Sequence, residues 1–363
     1  MKNTVTRLSE GIWQVGAADP DCTRFHGYYI HRGTTYNAYL VRGENGKFTL
    51  IDTVRDSKAS ELIGNIAQIT PLSQIEAIIV NHTEPDHSGA LPVVLQNCSP
   101  RIYATAAAAK LLKSQYGIEN AISVKAGQTE TIGGREFTFY PTPMVHWPDN
   151  MVTYLAKDKL LFSNDAFGQH YAANALLDVD ADYTVALAEA RHYFANIVMP
   201  FRAQAKNAVD AALSLSPKTV APSHGVVWTK HLPDIVKLYK ELCDKPSASV
   251  CTLAFDSMWG GCAEEAANKE KELREQFKEV HVFDLRKDHI SDVIDALSIS
   301  AHLCLGSPTH YLHPTARIAT LLAEIETLKP PFTTFSLFGT FGWGGGAVKC
   351  MKEKLEAFGY TAQ

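Results

Sequence analysis

The stretch Asn81–Gly89, "NHTEPDHSG", packs His82, Glu84, Asp86 and His87 into six residues, directly after the apolar run "IEAIIV". Charges that dense beside a buried strand repel one another unless a cation holds them, and clustered histidines and carboxylates near a core point to a metal. In an extended segment, side chains two positions apart share a face. His82, Glu84 and Asp86 are therefore expected to project together, with His87 at the turn into a following helix. Three more candidates lie downstream: His146 after "FTFYPTPMV", Asp165 closing "LLFSN", and His224 in "TVAPSHG". Taken singly, each is an ordinary core or surface group. Together they share one kind of place, the carboxyl end of a β-rich run beside small or turn-forming residues, where α/β folds build their sites. Seven ligands suffice for two ions if one carboxylate bridges, and Asp165 is the natural bridge. Such a pair can polarise or activate a small molecule held between the ions. Four histidines and three carboxylates without cysteine suit iron or manganese better than a thiolate-selecting ion, with zinc left open.

The elements that must position these groups alternate. Runs such as "YNAYLVRG", "KFTLIDTV", "EAIIVNH", "RIYAT", "REFTFYPTP", "MVTYLAK" and "KLLFSND" are rich in β-branched and aromatic residues and bounded by turn formers. Helical periodicity covers Lys58–Ile69, Ala106–Tyr116, Tyr183–Val198, Ala205–Leu213 and Leu232–Cys243. This rhythm predicts a layered α/β domain. After "YKELCDKPSASV" it restarts as four strand–helix units, beginning with "SVCTLAF" and a helix over about Ala263–Glu279, the pattern of a doubly wound parallel sheet. The expected division is 1–247 and 248–363.

Composition narrows the classes. The 363 residues are 46% hydrophobic and 20% charged with a net charge of −5, which disfavours nucleic acid and anionic membranes as partners. The N-terminus lacks an apolar signal-like core, and no 18-residue apolar stretch occurs. A cytoplasmic protein with no membrane association is expected. Cys22, Cys98, Cys243, Cys251, Cys262, Cys304 and Cys350 form no C-x-x-C pair and read as reduced thiols.

A strand ending in H-x-H-x-D-H, with later His, Asp and His, resembles the metallo-β-lactamase fold, whose hydrolases hold two zinc ions. Here Glu84 stands where their second histidine would be, and H-x-E-x-D-H is similar to the flavodiiron proteins. Further matches are "GTTYNAYL" (Gly33–Leu40), "MVHWPDNM" (Met144–Met151), "FSNDAFGQH" (Phe162–His170), "YFANIVMPF" (Tyr193–Phe201) and "SHGVVW" (Ser223–Trp228). The resemblance implies a non-haem di-iron centre. One iron would take His82, Glu84 and His146, and the other Asp86, His87 and His224, with Asp165 shared. It also implies that His26 and Tyr193 face the substrate pocket, while Trp147 shapes and dries it.

The second half resembles a short-chain flavodoxin. The match implies FMN contacts from Ser257, Met258, Trp259 and Gly260, from Pro308 and Thr309, and from Thr340, Phe341, Gly342, Trp343 and Gly345. Three departures from the family pattern imply weakened FMN affinity. The phosphate loop continues Gly261–Cys262 in place of two hydroxyl- or amide-bearing residues, a loss of roughly 1.5–3 kcal/mol per hydrogen bond to a charged group. The segment between Thr309 and Pro314 is two residues short. The chain ends at "FGYTAQ", without the expected last strand and helix.

The fold class expected is thus a metallo-β-lactamase-like αββα sandwich followed by a flavodoxin-like doubly wound sheet. The function implied is reduction of dioxygen or nitric oxide at two irons, with electrons through FMN. They would come from rubredoxin or a flavin/NADH-linked reductase to a head-to-tail homodimer or a dimer of such dimers. The alternative is a dizinc hydrolase acting on thioesters or similar substrates, with the second domain as an accessory.

Overall fold

The computed structural model describes residues 5–363. They divide into two compact units. The first holds the residues up to Phe25 together with Ile30–Ala190 and Ala203–Tyr239. The second holds His26–Tyr29, Arg191–Arg202 and Lys240–Gln363.

The first unit is built on two sheets. One has seven strands in the order Thr6–Ser9, Ile12–Gln14, Tyr39–Arg42, Phe48–Ile51, Ile75–Ile79, Arg101–Thr105 and Ile122–Val124. The other has five, in the order Thr129–Ile132, Arg135–Pro141, Met151–Leu155, Leu160–Asn164 and Thr219–Pro222. Strand alternation explains how they layer. Val41, Ile51, Ala77 and Ile79 pack against Phe137, Phe139, Met151 and Phe162 of the second sheet. Their sequence neighbours Leu40, Leu50 and Ile78 point the other way, onto Leu62, Ile66, Leu91, Val94 and Leu112 of the covering helices. With both faces buried, the central strands read as nearly continuous apolar runs. The helix Arg202–Ser214 lies along the outer side of the second sheet, its Ala208 and Ala211 lining a pocket with Tyr140 and Val152.

The second unit is an all-parallel sheet in the order Glu279–Asp284, Ser247–Phe255, Ser300–Gly306, Thr334–Phe338 and Thr361–Ala362. The helices Gly261–Gln276, Ile290–Leu297, Ala316–Leu328 and Ala347–Ala357 alternate with these strands. This is the flavodoxin-like order, with its topological switch beside the strand Ser247–Phe255. The fold class is as read from the sequence, with one detail corrected. The last strand is present as a two-residue segment, because Thr361 and Ala362 pair with Thr334 and Phe335. Among the described residues no helix is long and apolar enough to cross a membrane.

Candidate metal centre and flavin loops

The buried strand Ile75–Ile79 delivers the chain to Asn81, which is fixed from three sides. Asp52 accepts from its backbone and side-chain N–H groups at 2.7 and 3.0 Å, and the Thr153 hydroxyl donates to its Oδ1 at 2.7 Å. The chain then turns into a one-turn helix, Pro85–Ser88. The Ser88 hydroxyl and the carbonyl oxygens of Thr83 and Glu84 tie this turn to the preceding loop at 2.8 and 2.9 Å. Thr53 donates its N–H and its hydroxyl to the His87 carbonyl, both at 2.8 Å.

That helical turn corrects one expectation. Asp86 does not continue an extended alternation with His82 and Glu84. Proline at the first helical position starts a helix there, which carries Asp86 and His87 away from the other two. The result is two groups of donors, His82, Glu84, His146 and Asp165 in one, and Asp86, His87 and His224 in the other, with the atoms of each group within 4.8 Å of one another. In the first, Glu84 Oε2 lies 3.3 Å from His82 Nε2 and 3.1 Å from His146 Nε2. In the second, Asp86 Oδ2 lies 3.3 Å from His87 Nε2 and 3.2 Å from His224 Nε2. Asp165 reaches both. Its Oδ2 is 3.6 Å from His82 and 3.4 Å from His146, while its Oδ1 is 3.0 Å from His87.

The outward side of the site is anchored as well. Asp149, fully buried, accepts from His82 Nδ1 at 3.0 Å and from the Thr83 N–H and hydroxyl at 2.8 and 2.7 Å. His224 Nδ1 donates to the Thr35 carbonyl at 2.6 Å. The Ser223 hydroxyl donates to Asp165 Oδ1 at 3.0 Å. Gly225 follows with φ +77°, and a Cβ there would overlap Gln169, so only glycine lets the chain leave His224 by this route. Trp147 sets its ring edge-on to His82, with centroids 5.1 Å apart. Sequence reasoning did not single out Asp149, Thr35 or Ser223. The usable signal was general: a ligating imidazole ordinarily gives its other N–H to a carboxylate or carbonyl.

The electrostatics show what the site requires. Burial alone would push the imidazoles down. Yet His82 is raised to about 10 by Asp149, Glu84 and Asp165, and His146 to about 10 by Asp165 and Glu84. Burial likewise opposes a charge on His87, which Asp86 and Asp165 raise to about 9. Against its own burial, Asp165 is held well below the carboxylate range, chiefly by His87 and His146. The carboxylates thus demand positive charge between the rings. Asp86 Oδ1 and Oδ2, His87 Nε2 and Asp165 Oδ2 are buried and, close as they lie to one another, make no well-aligned hydrogen bond among the described residues. Cations of hard to intermediate character, bound by imidazole nitrogen and carboxylate oxygen, satisfy those atoms and displace the protons.

The other expected residues lie in the second unit. Tyr193 is buried at the end of the helix Tyr183–Tyr193. His26, with φ 47°, lines a pocket of about 210 Å³ with His289, Ser291, Thr320 and Glu324; none of the seven clustered ligands lines it. The flavin candidates follow three adjacent strands: Ser257–Gly260 after Ser247–Phe255, Pro308 and Thr309 after Ser300–Gly306, and Thr340–Gly345 after Thr334–Phe338. The loops interlock. Thr309 N–H donates to the Thr340 carbonyl at 2.7 Å, and its hydroxyl accepts from Gly346 and Ala347 at 3.3 Å. Trp259 is 95% exposed, Trp343 80% and Phe341 66%, so large apolar rings stand open around an amide-rich helix start. Aromatic walls beside backbone donors at strand ends fit a flat heteroaromatic phosphate ester.

Comparison with known proteins agrees with this geometry. Residues 34–225 match the family described as "ODP family beta lactamase". The chain is 36% identical to the nitric oxide reductase of Moorella thermoacetica, over 96% of this chain and 89% of that protein. The solved rubredoxin oxygen:oxidoreductase of Desulfovibrio gigas superposes with a TM-score of 0.95 at 32% identity, covering 99% of this chain and 91% of the other. The flavodiiron protein of Giardia intestinalis superposes with a TM-score of 0.93 at 28% identity, with coverages of 99% and 91%.

Proposed function

Because the chain belongs to the flavodiiron protein family, we propose that it is an oxidoreductase reducing dioxygen, nitric oxide or both. The observation that carries this reading is Asp165, which turns one carboxylate oxygen toward each of two buried histidine–carboxylate groups. His82, Glu84 and His146 would hold one iron, Asp86, His87 and His224 the other, and Asp165 would be shared. When bound, the iron pair supplies the redox-active place for the gas, and FMN supplies electrons one or two at a time.

The protein's own contribution is placement. Asp149 and the Thr35 carbonyl lock His82 and His224 with Nε2 inward. Trp147 covers the His82–His146 edge with an apolar ring, which limits water and favours small apolar ligands. Residues 1–247 are assigned to iron binding and 248–363 to flavin binding, the latter contacting FMN through the three interlocked loops, with His26–Tyr29, Arg191–Arg202 and the residues from Lys240 grouped in space with the second unit. His26 and Tyr193 are assigned to positioning around the substrate pocket. Electrons enter from rubredoxin or a flavin/NADH-linked reductase in the cytoplasm, and two chains pair head-to-tail. The dizinc-hydrolase alternative is not favoured: Glu84 supplies oxygen where those enzymes use nitrogen, and the named relatives are oxidoreductases.

Iron and flavin analysis on one preparation, with anaerobic turnover of each gas by an artificial donor, tests the proposal. Iron in the protein with turnover of either gas is the expected result. Zinc alone with no turnover overturns it.

A further inference from the structure

We infer that the loop cluster of the second unit recognises a flavin through its aromatic faces and holds the terminal phosphate weakly, so that riboflavin and FMN compete for it on nearly equal terms. This rests on the flavin reading above and adds to it a ligand preference.

A phosphate at a helix start is held by free backbone N–H groups, by hydroxyls of the first turn and by cationic side chains. The loop Asp256–Cys262 is poor in the last two, and part of the first is already engaged. Asp256 Oδ1 accepts the Ser257 N–H at 2.8 Å, while the Ser257 hydroxyl oxygen accepts the Gly260 and Ala263 N–H groups at 3.2 and 3.3 Å. Three backbone donors around the helix start are therefore already engaged within the loop. Of the first-turn side chains, Gly261 has none. Cys262 offers a weakly donating thiol that is buried with Cys251, Leu253, Phe255 and Ala266 in the unit's core. The segments 256–262, 307–315 and 339–346 contain no lysine or arginine. The nearby guanidiniums are engaged, with Arg317 3.4 Å from Asp256 and Arg286 paired with both oxygens of Asp284. The Asp256 carboxylate, buried at the foot of the loop, opposes a second anion.

The aromatic side of the cluster shows the opposite balance. Trp259, Phe341 and Trp343 are the exposed rings of two of the loops, and Tyr311 and Leu312 add apolar surface from the third. The loops that carry these residues meet, since Leu312 packs against the Gly344–Gly346 segment and Thr340 against Gly261. Ring stacking acts on the isoalloxazine alone and is blind to the phosphate.

The structure also shows how the preference could be restored. A Cβ at Gly261 meets only Thr340 Cγ2, at 3.6 Å, an ordinary contact, and the residue lies in the helix. Gly261→Ser therefore adds a Cβ at ordinary contact distance and brings a hydroxyl to the first turn.

The test uses the full chain freed of bound flavin, titrated with FMN and with riboflavin, and read by quenching of flavin fluorescence. The wild type is expected to prefer FMN by less than about tenfold, below the worth of one hydrogen bond to a charged group. Gly261→Ser is expected to tighten FMN by about tenfold or more, with riboflavin affinity unchanged. A wild-type preference for FMN above about tenfold overturns the inference and leaves the flavin reading standing. A variant that tightens both ligands equally overturns it as well. Failure of both flavins to bind the wild type overturns the flavin reading itself.

Discussion

The two candidate sites of this chain are built on opposite plans. The metal centre is buried, and three of its seven imidazole and carboxylate groups are set by a partner outside the ligand set: Asp149 for His82, Thr35 for His224, Ser223 for Asp165. The flavin loops stand in solvent, with Trp259 and Trp343 almost fully exposed, and their internal hydrogen bonds satisfy the loop more than they prepare it for an anion. A site for a compact multivalent cation must be dry and pre-shaped, because bare charges cannot be left to rearrange in a core. A site for a large planar ligand can be left open, since the ligand itself buries the rings that form it. Changes in the first should act on occupancy and chemistry together, and changes in the second on occupancy alone.

The largest effect should follow Asp165→Ala. Its carboxylate turns one oxygen toward each histidine group. Metal per chain should fall by at least one ion, with a loss of gas reduction well beyond the ~100-fold seen when outer partners are removed. Metal analysis beside turnover decides it, and an unchanged ion count would show that the two groups do not share this residue. Glu84→His comes next. It replaces an oxygen that meets both His82 and His146 with a nitrogen, which moves the site toward zinc. Zinc should rise relative to iron in protein loaded from an equal mixture, and reductase activity should vanish. Iron-bound, active Glu84→His would contradict the ligand assignment.

These two residues were legible in the sequence, and the reason is physical. Ligands that follow buried strands stand beside apolar runs, so their types stand out; His82, Asp165 and His224 do so, with Glu84 two residues past His82. What was not legible depended on backbone detail. Asp86 looked like a continuation of the alternation, but Pro85 starts a helical turn, and the side chain moves to the other group. The strands before Tyr36 are two to four residues long, too short to show a period. The pairing of Thr361 and Ala362 was missed for the same reason. Asp149 carried no pattern of its own, since nothing in "HWPDNM" says which ring its carboxylate will meet.

Asp149 gives the intermediate test. Removing it leaves His82 Nδ1 and the Thr83 N–H without their acceptor in a buried site. Asp149→Ala should lower metal affinity by about 10–100-fold, the usual cost of losing such a partner. Asp149→Asn, which keeps an acceptor oxygen, should recover part of it. Flavin binding should be untouched by both variants. A parallel loss of flavin affinity would mean that the two sites are not independent in the way the comparison asserts.

The smallest effect belongs to the second unit and tests whether its core, unlike its loops, is tightly specified. His302, on the strand Ser300–Gly306, pairs with Thr334, and the hydroxyls of Thr334 and Ser336 meet Nδ1 and Nε2 at 2.8 and 2.9 Å. Phe277 stacks on the ring at 5.5 Å. Hydroxyls serve a neutral imidazole in either tautomer, so the ring is satisfied without charge, and burial depresses it from 6.5 to about 4. The sign follows from linkage. Above pH 6.5 both folded and unfolded forms are neutral, and the full stability is present. As the pH falls through 6.5 the unfolded chain takes up the proton first, so stability declines until the folded ring also titrates near pH 4. Allowing for residual solvent screening, the loss should be on the order of 1 kcal/mol. Urea unfolding of the full chain between pH 7 and 4 should show this decline in the transition of the second unit, and His302→Gln should flatten it. An identical slope in the variant would place the acid sensitivity in other groups and leave His302 as packing alone.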